Sequence, residues 1–418
     1  MTDVTFRDAG IRSPILRLVN TTGRFAAMLG KDFPALSAKG LMAQAEKETG
    51  LADFGNLEFL PGLERLVDSL VHDAHLTTFG RIVQKKMLTQ FLAVRLAVTD
   101  WIEHNPDVLK EKITSPWVIA GLPRTGTTLL SHLLELDPHG RSLLGWEALD
   151  PVPPTRANDP QAQPRIQSAI ASDAQLNQLI PPLRAMHPME PTLPTECVTL
   201  FACDFRSLLF ATQTPVSSYA QWLRETALDS AYHFHHQVLR MLQSVRTPQR
   251  WSLKTPQHLW SLPALFRTYP DARVIWTHRD PHKVIPSVAS LNMAFYRTFT
   301  HDPDPKEAGL AWQQELAAGV QKGVAFDRQA DPGWCVHLLY EELMENPVAA
   351  VAKIYSHFGD ELSEEHAAAI RQWSAHRPQS IFGRHRYEPS AFGLNAESIA
   401  EDFGPYMSRF QIPREERD

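Results

Sequence analysis

A run of small and hydroxylated residues, Pro123-Arg124-Thr125-Gly126-Thr127-Thr128, follows the apolar segment Trp117–Gly121 and leads into Leu129-Leu130. An apolar strand, a tight loop and a helix that opens on two threonines make a phosphate cradle, because backbone N–H groups and a helix N-terminus converge there on an anion. Set against the pattern GxxxxGK[ST], Gly121, Gly126 and Thr128 take their places, but Thr127 stands where the lysine belongs. A nucleoside-triphosphate enzyme uses that lysine on the β/γ-phosphates, and here Arg124 is the only cation in the loop. The loop suits phosphate but not ordinary ATP chemistry.

A second cation stands at a comparable place. Ala272–Thr277 is β-branched and apolar enough for a buried strand, and Arg279 follows it. Asp280 suits a helix N-cap and Pro281 the first helical position, so Arg279 falls at the carboxyl end of a strand, where open α/β sheets bind ligands. Its planar fork matches a phosphate dianion. Pro286 is expected to kink or shorten the helix that follows. The cluster His233–His236 raises a metal site, but only His233 and His236 share a helix face and no third ligand accompanies them, so these read as surface histidines.

The loop resembles the 5′-phosphosulfate loop, P-[K/R]-[S/T]-G-T-T, of sulfotransferases that use 3′-phosphoadenosine 5′-phosphosulfate (PAPS). Two further segments agree with that family in order. In "THRDPHKVIPS", Arg279 and Ser287, eight residues apart, match the pair that holds the 3′-phosphate, and in "LLYEELMENP" Tyr340 matches the tyrosine beside the adenine. The matching region runs from Trp117 to Gly359. The resemblance implies a P-loop-like α/β fold with a central parallel sheet, PAPS as co-substrate, no metal, and transfer of a sulfuryl group to a hydroxyl of a small or lipophilic acceptor.

It also implies roles. Sulfuryl transfer needs a base for the acceptor hydroxyl and positive charge where the transferring group and leaving oxygen develop charge. Glu147, in "LLGWEALDP" beyond the helix that starts at the loop, is the expected base, with His258 the second candidate. Lys254, closing the strand Arg250–Lys254, and Arg124 are expected to stabilise charge; Glu196 is a candidate for the acceptor pocket. Arg384 and Arg386, in a Gly-flanked C-terminal loop, are loosely matched to a basic loop that closes over the 3′-phosphate. The donor would lie on Pro123, Arg124, Thr125, Gly126, Thr127 and Thr128. A P-loop kinase or NTPase, and a non-catalytic nucleotide-binding protein, are the alternatives.

These residues must be positioned by alternating strands and helices, with strands expected near 117–120, 251–253, 272–277 and 335–339. Residues 1–112 read as a helical extension, with apolar steps of three and four in Leu63–Thr77 and Val83–Pro106. Residues 113–418 then form the sulfotransferase-like unit. Within it, 151–245 is a helical insertion: Pro151–Pro194 is a lid-like excursion with short helices, and Phe201, Phe205, Phe210, Tyr219, Trp222 and Phe234 beyond it serve either as core or as an apolar acceptor wall.

The chain has 418 residues, 43% of them hydrophobic, and a formal net charge of −6, which argues against nucleic acid as a partner. No signal peptide or membrane-span pattern appears, and Cys197, Cys203 and Cys335 have no metal-ligand spacing, so a cytoplasmic protein is expected. No heptad or interface signature speaks to oligomeric state.

Overall fold

The computed structural model describes residues 3–415, apart from Leu29, Lys31, Asp32, Ala157, Pro332 and 377–383. Five strands form one parallel sheet: β2 (Trp117–Gly121), β3 (Gly140–Ser142), β4 (Arg250–Lys254), β5 (Arg273–His278) and β6 (Cys335–Leu339), ordered β3-β4-β2-β5-β6. β1 (Asp3–Val4) pairs in parallel with β7 (Arg384–His385), tying the N-terminal region to the C-terminal one. The four expected strands are present; β3 and the β1–β7 pair were not anticipated, since three- and two-residue strands carry no periodicity to read.

β2 is buried along its whole length, as befits the middle strand of a sheet covered on both faces. Alternation splits its side chains. Trp117 and Ile119 pack with Leu130, Leu134 and Ile354 on one face, while Val118 and Ala120 join the larger core on the other. That larger core runs into the N-terminal helices: Leu63, Leu92 and Leu96 belong to the same cluster as Val118 and Trp276. The helix Thr78–His104 starts where the Thr77 side chain accepts from the Gly80 N–H and ends before Pro106.

Register fixes what the sheet presents. Ile119 lies beside Lys254 and Gly121 beside Thr277, so the phosphate-type loop, Lys254 and Arg279 all leave the sheet at its carboxyl edge. Tyr340 follows β6 at the same edge. One row of strand ends thus collects residues more than 200 positions apart in sequence.

Two expectations change here, and an open alternative is decided. The helix Pro281–Phe299 runs without a break through Pro286. A proline this near the N-terminus forfeits a single backbone bond, and the helix buries most of its length, which offsets that loss. The excursion after Pro151 holds a 17-residue helix, Gln163–Leu179, longer than the short helices expected. Of the aromatic set, Phe201, Phe205, Phe210, Tyr219 and Phe234 are core and Trp222 is half-buried, so they do not form an open acceptor wall.

Candidate active site

Two glycines let the loop fold tightly. Gly121 has φ +134°, and a Cβ there would lie 2.5 Å from Thr277 Oγ1; Gly126 has φ +87°, and a Cβ would meet Leu343 at 2.9 Å and Tyr340 at 3.3 Å. The Thr125 hydroxyl is buried, 2.7 Å from the Leu122 carbonyl to which it donates and 2.6 Å from Thr277 Oγ1. Thr125 therefore braces the loop, leaving backbone N–H groups and the start of the helix Thr127–Glu135 to meet an anion.

Arg124 itself adopts φ +68° and donates from Nε to Ser287 Oγ at 3.2 Å. Arg279 donates from Nη1 to the Arg124 carbonyl at 3.1 Å, and its guanidinium lies 3.9 Å from the Tyr340 ring centroid. Burial lowers the Arg124 pKa and the neighbouring Arg279 charge adds to the effect. The Arg124 and Arg279 charges oppose one another, and an anion meeting both would relieve that, so the pair suits a phosphorylated ligand. Burial also works against the Arg279 charge, but Glu415 and Tyr340 carry its pKa above the ordinary value.

Lys254 is buried, with Nζ 3.0 Å from Glu196 Oε1. The segment bearing Glu196 crosses the ends of two strands: the Thr195 N–H donates to the Leu143 carbonyl just past β3, and the Cys197 N–H to the Lys254 carbonyl, both at 2.8 Å. His187, half-buried, joins this group electrostatically. Burial pushes its pKa down to about 4; Glu196 opposes that shift, and Lys254 and Arg124 reinforce it. The imidazole is thus neutral near pH 7, close enough to feel the Lys254–Glu196 pair and the loop arginine.

Residues 116–364 match the sulfotransferase family. The chain belongs to that family. It is 25% identical over 309 residues to the omega-hydroxy-beta-dihydromenaquinone-9 sulfotransferase Stf3 of Mycobacterium tuberculosis, covering 72% of this chain and 76% of the relative, and the Stf3 of Mycobacterium bovis matches equally. Among solved structures, sulfotransferase STF9 from Mycobacterium avium superposes with a TM-score of 0.85 at 30% identity, over 93% of this chain and 100% of that one. STF1 from Mycobacterium tuberculosis gives 0.80 at 28% identity, over 88% and 99%. The kinase alternative falls with this assignment.

Within the sulfotransferase, several expected site residues are engaged by other partners. Glu147 is buried and committed on both oxygens: Oε1 accepts from Arg141 Nη2 at 2.7 Å and Oε2 from the Leu144 N–H at 3.1 Å. Arg141 in turn donates to the Leu242 and Arg246 carbonyls and lies over Trp251. A carboxylate so engaged holds the turn before its short helix rather than standing free as a base.

His258 is fully buried among Phe201, Tyr232 and His235, with Nδ1 2.7 Å from the Tyr232 hydroxyl. Burial pushes its pKa down to about 3, and it is a core histidine. Arg386 pairs with Asp3 on the surface at 2.6 Å, whereas the next residue, Tyr387, hydrogen-bonds Ser287 and faces Arg124 and Arg279. In an extended chain neighbours point opposite ways, so the same segment sends Arg386 outward and Tyr387 inward. Arg384 lies in β7, and its side chain falls outside the described ones.

In the "HFHH" segment, His235 is not a surface residue: it is buried, with Nδ1 2.8 Å from the Tyr269 hydroxyl. Among the described residues no group of three or more His, Cys, Asp or Glu is placed to hold a metal ion. His187, Tyr387 and Glu415 escaped the sequence reading, because a lone histidine in a proline-rich stretch and isolated C-terminal residues carry no spacing signal.

Proposed function

We propose that this sulfotransferase moves a sulfuryl group from PAPS to a hydroxyl of a lipophilic acceptor. The observation that carries the reading is the meeting of Arg124, Arg279, Ser287 and Lys254 beside the Gly-Thr loop at one edge of the parallel sheet. The loop Pro123–Thr128 would take the 5′-phosphosulfate through backbone N–H groups. Arg279, with Ser287 and Arg124, would take the 3′-phosphate, and Tyr340 and Tyr387 would flank the nucleotide. PAPS supplies an activated sulfuryl group on a phosphate leaving group, so a metal is not needed to make the departing oxygen stable.

On the acceptor side Glu196 replaces Glu147 as the proposed base. It would take the hydroxyl proton as the acceptor oxygen bonds to sulfur. Lys254, partly released as its partner is neutralised, would offset negative charge on the bridging oxygen as the sulfur–oxygen bond breaks. His187 would orient the hydroxyl. The relative Stf3 is named for an omega-hydroxy dihydromenaquinone, which supports a lipophilic alcohol as the acceptor. Among the described residues no helix is long and apolar enough to cross a membrane. The three cysteines are free and buried, which supports a cytoplasmic site of action.

The test is a thermal-shift titration with 3′,5′-adenosine bisphosphate against ATP with magnesium, followed by transfer of radiolabelled sulfate from PAPS to long-chain alcohols. Stabilisation by the bisphosphate and label on a lipid alcohol are expected. Stabilisation by ATP with magnesium alone would refute the donor assignment.

A further inference from the structure

The helix Pro14–Met28 holds to the body of the protein by one narrow face. Gly23 passes so close to Thr78 that a Cβ would collide with it, and Asn20 accepts from the Phe79 N–H at 2.9 Å. The opposite face is open and mostly apolar: Ile15, Leu18, Phe25 and Met28 are 73%, 65%, 67% and 74% exposed, with Thr21 and Thr22 between them donating their hydroxyls to the Arg17 and Leu18 carbonyls, and Phe33 just beyond is 69% exposed. Elsewhere among the described residues no large apolar side chain exceeds the 52% of Leu57. Scattered exposed hydrophobes are normal on a soluble surface, but a row of them on one helix marks an interaction site.

The charges on this helix are ordered too. Leu18 and Phe25 are seven residues apart and lie on one stripe, and Arg17 and Arg24, also seven apart, form a parallel stripe along its flank. Arg12 precedes them, and no Asp or Glu occurs between Ala9 and Lys31, although the whole chain carries a net charge of −6. Arg17 donates from Nε to the Ile11 carbonyl, and both arginines are exposed. An apolar stripe edged by cations and cleared of acids complements an anionic lipid surface, where the apolar side chains enter the acyl boundary and the guanidiniums meet headgroup phosphates. It is a poor match for an antiparallel second copy, because a two-fold contact of that kind through this stripe would bring the Arg17 and Arg24 rows of both chains together.

We propose that the helix Pro14–Met28 seats this protein on the surface of an anionic lipid bilayer, lying in the interface without crossing it. The inference stands on the helix alone. If the acceptor is a lipid alcohol, the same contact would bring the enzyme to its substrate, a consequence that rests on the proposed function.

The experiment is co-sedimentation of the full chain with phosphatidylcholine vesicles that do or do not contain about one part in four of phosphatidylglycerol. Binding should appear on the anionic vesicles, weaken as salt is raised, and be nearly absent on pure phosphatidylcholine. The double variant Arg17→Ala/Arg24→Ala should lose roughly thirtyfold in partitioning. Leu18→Ser/Phe25→Ser should lose at least as much, with an unchanged melting temperature because these side chains touch no core. The proposal is overturned if the wild type does not prefer the anionic vesicles, or if neither variant reduces binding. It is equally overturned if the chain is a dimer in solution that Leu18→Ser/Phe25→Ser dissociates, for then a second copy covers the stripe. Each readout is binding, so failure here leaves the donor and acceptor assignments to their own test.

Discussion

Arg279 carries a carboxylate on its guanidinium fork: its Nε and Nη2 stand 2.8 and 2.9 Å from the two oxygens of Glu415. The chain reaches that point from a fixed anchor. Ile412 is buried in the core and its N–H donates to the Met407 carbonyl at 2.9 Å, while the Glu415 N–H donates to Asp280 Oδ2 at 3.0 Å. Glu415 thus holds the fork that the 3′-phosphate of the donor is proposed to occupy.

A ligand that must displace an internal competitor binds more weakly by the fraction of molecules in which the competitor is absent. Glu415→Gln should therefore tighten binding of 3′,5′-adenosine bisphosphate by about tenfold. Adenosine 5′-monophosphate, with no 3′-phosphate, should bind both forms alike. Arg279→Ala should abolish the difference between the two nucleotides. Calorimetric titration reads all three, and weaker binding of the bisphosphate to Glu415→Gln would mean that Glu415 orients Arg279 rather than competing for it.

Glu196 and Glu147 separate by the kind of damage their loss causes. Glu196→Gln removes a partly exposed carboxylate beside Lys254, so kcat should fall by roughly 10²–10³ with little change in melting temperature or in bisphosphate affinity. Lys254→Met should lower kcat comparably by removing charge at the leaving oxygen. Single-turnover sulfation rates check both.

Glu147→Gln breaks a buried ion pair and leaves Arg141 without its partner. Such a break costs about 3–5 kcal/mol, so urea unfolding should show a large loss of stability while kcat per folded molecule stays close to normal. A loss of kcat without a loss of stability would restore Glu147 as the base.

Acid should weaken the fold through its buried histidines. Burial holds His258 and His385 down to about 3 and His187 and His236 down to about 4, below the ordinary 6.5. Between those values the unfolded chain binds protons that the folded chain refuses, so stability rises with pH and falls as pH drops from about 6.5 toward about 4. Fully buried His258 contributes about 1.4 kcal/mol per pH unit in that window. The three half-buried histidines contribute less because water reaches them. Urea midpoints measured between about pH 7 and pH 5 should decline steadily, and a flat profile would show that these histidines are already solvated.

What could be read in the sequence was short-range. The loop Pro123–Thr128, the Arg279-Asp280-Pro281 turn and the strand before Tyr340 are each strand–loop–helix units, whose Gly, Pro and capping residues act within a few positions of one another. Their common arrival at one edge of a sheet follows from parallel pairing, so the proposed donor half of the site was already implied by its motifs.

The acceptor half was not, because a carboxylate or histidine takes its role from whatever stands beside it. Glu147 and Glu196 look equally available along the chain, yet packing gives one to Arg141 and the other to Lys254. His258 sinks into an aromatic core, while His187 is carried by an excursion to the neighbourhood of Arg124. Tyr387 and Glu415 reach the donor arginines from the far C-terminal region. The amino-acid sequence by itself determined the four longer strands, the Gly-Thr loop and the family. Only the tertiary structure decided which charge meets which, since Coulomb and hydrogen-bond energies depend on distance through space, and a linear chain does not state those distances.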